Sequence, residues 1–204
     1  LFGISVSLSN DGTLVAIGSN RNDGTGTDAG HIRVFEFSGG SWSQLGSDID
    51  AEAAGDRLGE SVSLSGDGTK VAIGAPLNDG TGTDGGHVRV YEFSGGSWSQ
   101  LGVDIDAEAA GDLFGISVSL SNDGSVLAVG GKGNDAAGSN AGHVRIYLYS
   151  GGSWSQLGSD IDGEAAGDEY GTSVSLSIDG TIVGIGGPLN CLLYTSDAAD
   201  DANC

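Results

Sequence analysis

The side chains in this sequence with the most capacity for chemistry are carboxylates, and they recur in two strings. The first is Asn22-Asp23-Gly24-Thr25-Gly26-Thr27-Asp28, repeated from Asn78 with Asp79 and Asp84 in the acidic places. Side-chain oxygens alternating with glycines can wrap a calcium ion, which takes about 6–8 oxygen ligands. The second is Asp48-Ile49-Asp50-Ala51-Glu52, with Asp56 four residues further on. Acids at relative positions one, three, five and nine match part of a helix-flanked calcium loop. Asp23, Asp28, Asp79, Asp84, Asp48, Asp50, Glu52 and Asp56 are therefore the candidate metal ligands, and calcium is the cofactor they would suit.

Both strings also have a plainer reading, which is the one expected. The third copy of the first string, Asn134-Asp135-Ala136-Ala137-Gly138-Ser139-Asn140, loses its final acid. In the second, Ala53 stands where the turn glycine should be, and Gly59 stands where a closing glutamate should be. The first string then reads as a solvated loop whose Asn, Asp and Gly hold left-handed turns. The second reads as a linker in which Ile49 packs inward and the acids face water or cap backbone amides.

Other chemical side chains recur at the same interval. His31, His87 and His143 could suggest zinc, but its ligands must all lie about 2 Å from one ion. Equivalent places on successive units cannot meet that demand, so a structural histidine at a strand start is expected. Arg33, Arg89 and Arg145 follow two residues later, on the same strand face, and are expected to pair with the acids. Trp42, Trp98 and Trp154 are expected to pack between units rather than to form a sugar platform. No nucleophile elbow, phosphate loop or H-E-x-x-H string occurs, so the chain is read as non-catalytic.

Charge narrows the partners. The chain has 28 acidic and 7 basic residues and a net charge of -21. Such a surface repels phosphate backbones, so nucleic acid is not expected as a partner, whereas divalent cations or basic partners fit. No apolar run is long enough to span a bilayer.

The elements that position these residues come from a 56-residue repeat. Residues 1–56, 57–112 and 113–168 align without a gap, and a partial copy covers 169–190. The first two copies agree at 44 of 56 positions, so each unit does the same structural job. Within a unit the apolar period is two. Ser5-Val6-Ser7-Leu8-Ser9 alternates, Asn10-Asp11-Gly12 turns, and Thr13-Leu14-Val15-Ala16-Ile17-Gly18 follows as a strand buried on both faces. A polar loop leads to a third strand from His31 to Phe37. A fourth runs from Trp42 to Ile49 after Ser38-Gly39-Gly40-Ser41. Four short antiparallel strands per repeat predict an all-β fold, a β-propeller built from four-stranded blades, with a β-solenoid as the alternative. Propellers close with about 4–8 blades, so the chain is expected to be a fragment needing its remaining blades or partner copies. The two acidic strings fall on the long-loop face, the expected binding face.

The units resemble the FG-GAP repeats of integrin α-subunit propellers. Phe2-Gly3, Phe114-Gly115 and the variants Leu58-Gly59 and Tyr170-Gly171 match the FG element. Gly74-Ala75-Pro76 matches GAP, and Gly18-Ser19-Asn20, Gly130-Gly131-Lys132 and Gly186-Gly187-Pro188 are degenerate forms. The resemblance implies a binding or adhesion module of a larger secreted or surface protein, with a protein or glycan ligand. An accessory or catalytic propeller of an extracellular enzyme and a purely structural surface array are the alternatives. Relatives often carry a D-x-D-x-D-G-x-x-D calcium loop between the FG and GAP strands. Here that span is only Ser9-Asn10-Asp11-Gly12-Thr13, and one Asp on a tight turn cannot supply the ligands.

After Asn190 the repeat stops. Cys191-Leu192-Leu193-Tyr194-Thr195-Ser196-Asp197-Ala198-Ala199-Asp200-Asp201 reads like a translated transposase sequencing adaptor. Residues 191–204 are therefore read as a non-native tail, and the chain's two cysteines, Cys191 and Cys204, carry no argument.

Overall fold

The computed structural model describes residues 2–190. The tail discussed above lies outside them. Each full repeat folds into one antiparallel sheet. The first contains β1 (Ser5–Leu8), β2 (Leu14–Ser19), β3 (His31–Ser38), β4 (Ser41–Gln44) and β5 (Ile49–Asp50). The second contains β6 (Ser61–Leu64), β7 (Lys70–Ala75), β8 (His87–Ser94), β9 (Ser97–Gln100) and β10 (Ile105–Asp106). The third contains β11 (Phe114–Leu120), β12 (Val126–Gly131), β13 (His143–Ser150), β14 (Ser153–Gln156) and β15 (Ile161–Asp162). A hairpin of β16 (Ser173–Leu176) and β17 (Val183–Gly186) opens the fourth. The fold is an all-β propeller of repeated antiparallel blades. No helix among the described residues is long and apolar enough to cross a membrane.

The fourth strand departs from the sequence expectation. It is not continuous from Trp42 to Ile49 but splits into β4, on the far half of β3, and β5, on its start. Gly46 takes a φ of 76° in the break, a left-handed conformation that glycine adopts without steric cost. After the break, Asp48 accepts a hydrogen bond from Arg33 of β3.

The turns are held locally. Asp11 accepts hydrogen bonds from the Ser9 hydroxyl and from the Thr13 amide and hydroxyl. The Thr13 amide is the main cause of a carboxyl held below its ordinary range, with the two hydroxyls adding to it. The same geometry recurs at Asp67, Asp123 and Asp179, the last pulled down to about 2.

The hydrophobic core lies between blades rather than within them. Ala16, Ile32 and Val34 of the first blade pack with Leu58, Val71 and Ile73 of the second. Val88 and Val90 pack in turn with Phe114, Leu127 and Val129. A single repeat therefore cannot bury its apolar face alone, as in other repeat architectures.

Inner strands are stitched across each blade boundary by serines and turn amides. Ser7 Oγ accepts from the Leu64 amide, Ser63 from Leu120, and Ser119 from Leu176. Ser5, Ser61 and Ser117 donate to the carbonyls of Gly59, Gly115 and Gly171. At the turns the Asn10 amide donates to the Gly66 carbonyl, Gly66 to Asn122, and Asn122 to Ile178.

Candidate binding face

The candidate face is built where the loop after the second strand meets the link to the next blade. The two are zipped by backbone hydrogen bonds. The Gly55 amide donates to the Thr27 carbonyl and Leu58 to Ala29. The pattern returns at Gly111 to Thr83 with Phe114 to Gly85, and at Gly167 to Ser139 with Tyr170 to Ala141. Gly30 and Leu58 approach so closely that a side chain on Gly30 would meet the Leu58 carbonyl at 2.2 Å.

The structure brings both acidic strings onto this ledge and uses several of their oxygens on the chain itself. Asp23 accepts from the Asp28 amide at 2.9 Å, and Asp79 from that of Asp84 at 3.0 Å. Asp28 and Asp84 adopt left-handed φ of 51° and 54°. Asp56 is buried and accepts from the Ala53 amide. Asp50 stays exposed in β5, directly opposite His31.

Asp48 is engaged on both oxygens. Arg33 Nε and Nη2 each donate to Oδ2 at 3.0 Å, and Gln44 Nε2 donates to Oδ1 at 2.6 Å. Partial burial pushes the Asp48 carboxyl up, but the Arg33 and Gln44 hydrogen bonds together outweigh it and hold it low. Asp104 behaves likewise, with Arg89 and Gln100. The glutamine escaped the sequence reading. Its signal is the recurrence of Gln44, Gln100 and Gln156 four residues before each aspartate.

Glu52 crosses the blade boundary and pairs with Arg89 of the second blade, as Glu108 pairs with Arg145 of the third. Two carboxylates then clasp each guanidinium. The Arg89 and Arg145 side chains are 6% exposed, whereas that of Arg33 is 39% exposed.

The histidines lie beneath. His87 Nδ1 is 3.7 Å from Asp104, and His143 Nδ1 is 3.6 Å from Asp160. Burial is the main cause of their lowered pKa and overcomes the pull of Asp104 and Asp160 toward the charged form. Three groups could offer nitrogen and oxygen ligands within 4.8 Å of one another: His31 with Asp48 and Asp50, Glu52 with His87 and Asp104, and Glu108 with His143 and Asp160. In the second and third, a guanidinium is already seated on both carboxylates.

A family model described as "FG-GAP repeat" matches residues 49–91 and 106–148. Those two spans carry FG-GAP repeats. Each matched span runs from β5 or β10 into the third strand of the next blade, so Asp50, Glu52, His87 and Arg89 fall within one FG-GAP repeat. No curated protein matches this chain. Among solved structures it is similar to a protein of Bacteroides uniformis ATCC 8492 that bears the proposed name 6-phosphogluconolactonase. Identity is 13%, the TM-score is 0.58, and the match covers 88% of this chain and 45% of that one. A protein of Bacteroides fragilis NCTC 9343 with the same proposed name gives 11% identity and a TM-score of 0.56, covering 88% and 40%. This chain thus spans less than half the length of either neighbour, and at these identities the likeness concerns the fold alone.

Proposed function

We propose that these FG-GAP repeats form a non-catalytic binding or adhesion module of a larger secreted or surface protein, engaging a protein or glycan ligand through the acidic ledge. The observation that carries this reading is the pairing of β5 with β3, repeated by β10 with β8 and β15 with β13, which holds Asp50, Asp106 and Asp162 exposed beside the long loops at one equivalent place in three successive blades. A rigid scaffold under charged loops is the usual construction of a binding surface. Its negative charge suits a cationic protein surface, or a glycan bridged by a divalent ion.

The test is binding of immobilised chain to a glycan array and to a panel of basic extracellular matrix proteins. The comparison is the triple variant Asp50→Asn, Asp106→Asn, Asp162→Asn. The expected result is a captured ligand whose affinity falls about tenfold or more in the variant, with salt weakening the wild-type complex. Equal binding by the variant would move the ligand off the ledge. No captured ligand in either panel would favour a purely structural array. The lactonase name of the structural neighbours gives the enzyme alternative no residue to rest on here.

A further inference from the structure

Asp50, Asp106 and Asp162 offer a ligand three equal registers, so selectivity must come from where the repeats differ. Three places take a different residue at each blade boundary. Between blades one and two they hold Asn20, Arg57 and Glu60; between two and three, Pro76, Leu113 and Ile116; after blade three, Lys132, Glu169 and Thr172. Asn20 Nδ2 donates to Glu60 Oε2 at 2.6 Å, and Lys132 Nζ donates to Glu169 Oε2 at 3.4 Å. The Ile116 amide donates to the Leu113 carbonyl at 3.1 Å. A side chain on Gly86 would lie 2.7 Å from the Phe114 amide nitrogen and 2.8 Å from the Pro76 carbonyl, so Pro76 adjoins the same spot. Two polar boundaries thus flank an apolar one. That apolar boundary has a blade on either side, so its exposure does not come from the ends of the chain.

Leu113 and Ile116 are half-buried, and neither joins the core cluster that seals blades two and three. Leu113 also holds a φ of 54°, as Arg57 and Glu169 hold 57° and 51°. Glycine enters this left-handed region freely, whereas a bulky side chain enters it under strain. A chain with 39 glycines places none at these three positions. The fold therefore keeps a strained residue whose side chain changes from copy to copy and, at Leu113, stands outside the core; such retained strain clusters at ligand-binding sites. The second long loop ties Leu113 to the acidic ledge. The Leu113 amide donates to the Asp84 carbonyl at 3.2 Å, and a side chain on Gly80 would lie 3.8 Å from the Asp106 carboxylate. Asp106 is exposed and, unlike Asp104, holds no arginine among the described residues.

We propose that Leu113 and Ile116 are the specificity-determining residues of the ledge: they receive an apolar side chain of a protein ligand whose neighbouring lysine or arginine meets Asp106. The inference rests on the ledge as a binding face, and it names the ligand as a basic, apolar protein segment rather than a glycan. The cation follows from the charge of the ledge, and the apolar anchor from the one boundary whose variable residues are all apolar.

Fluorescence-polarisation titration of the full chain with matched labelled peptides tests this. One peptide carries a leucine flanked by lysines, a second has serine for the leucine, and a third has glutamates for the lysines. The expected result is binding of the first, weakened about tenfold or more by either replacement. Leu113→Arg, which installs the residue that the preceding repeat carries as Arg57, should bring the affinity for the leucine peptide down to that for the serine peptide. Leu113→Gly should do the same while keeping or raising the thermal midpoint, because it relieves the left-handed strain. A lower midpoint for Leu113→Gly would make Leu113 a packing residue and overturn the proposal, as would unchanged affinity in both variants. Equal binding of the leucine and serine peptides also overturns it; if Asp106→Asn then abolishes that binding, the ledge survives as a purely electrostatic site. Binding to no peptide overturns it as well, and capture on the glycan array then separates a glycan-binding ledge from failure of both readings.

Discussion

The indole of Trp98 donates across the blade boundary to the Leu45 carbonyl at 2.9 Å, with Gly46 lying under the ring. Trp154 does the same to Leu101. Trp42, at the same place in the first blade, is exposed. The repeated tryptophan is thus a blade-to-blade fastener, and one residue type has two environments within one chain. Trp98→Phe should cost about 1 kcal/mol through the lost hydrogen bond, and Trp98→Ala about 3 kcal/mol. Trp42→Ala should cost less than about 1 kcal/mol. Urea midpoints measure all three, and equal losses at positions 42 and 98 would contradict the fastener role.

Two strand glycines should respond oppositely to alanine. A Cβ on Gly74 would lie 1.9 Å from the Gly115 carbonyl oxygen of the next blade, and backbone cannot move aside cheaply. Gly74→Ala should therefore destabilise by about 3 kcal/mol or more. Gly184 meets nothing closer than 3.8 Å, and the other repeats carry Ala16, Ala72 and Ala128 at its place. Gly184→Ala should be neutral or stabilise by about 0.5 kcal/mol. Thermal midpoints of the two variants moving in the same direction would refute the close-approach account.

Acid should weaken the fold in two stages. His87 and His143 titrate below their ordinary 6.5 because burial opposes the charged form. The unfolded chain then binds protons that the native chain refuses, so stability is full above 6.5 and falls as pH drops toward the folded values. Asp48 and Asp104, held below their ordinary 3.8, add a second loss at lower pH as they are protonated. His143→Leu should shrink the first stage, which His87 still sustains in part, and leave the second. Urea midpoints that do not change between pH about 7.5 and about 5.5 would rule out the buried neutral histidines.

Calcium should matter little to stability. Asp23 and Asp79 hold loop amides, Asp56 caps a turn, and Asp48 and Glu52 hold arginines. Differential scanning calorimetry with millimolar calcium against chelator should show a midpoint rise below about 2 °C. A rise near 10 °C would establish an ion on the ledge, with Asp28, Asp50 and Asp84 the first ligands to test by Asn substitution.

The repeat length, the period-two strands, their antiparallel order and the gathering of long acidic loops on one face are legible in the amino-acid order. These follow from local rules: alternation sets strand faces, Asp-Gly sets the turns, and near-identity of the copies forces the same answer each time. That order also locates the residues of the ledge. Which partners those residues take depends on how the blades pack. The break in the fourth strand is marked locally by Gly46, but which side chains it brings together, Asp48 and Arg33, is set across the sheet. Glu52 meets Arg89, 37 positions later, because blades stack at a fixed spacing, and Trp98 is fastened to Leu45 while Trp42 is bare because, among the described residues, only Trp98 has a preceding blade packed against it. Contacts between units arise from packing geometry, and a sequence whose copies are nearly the same cannot encode which copy is covered.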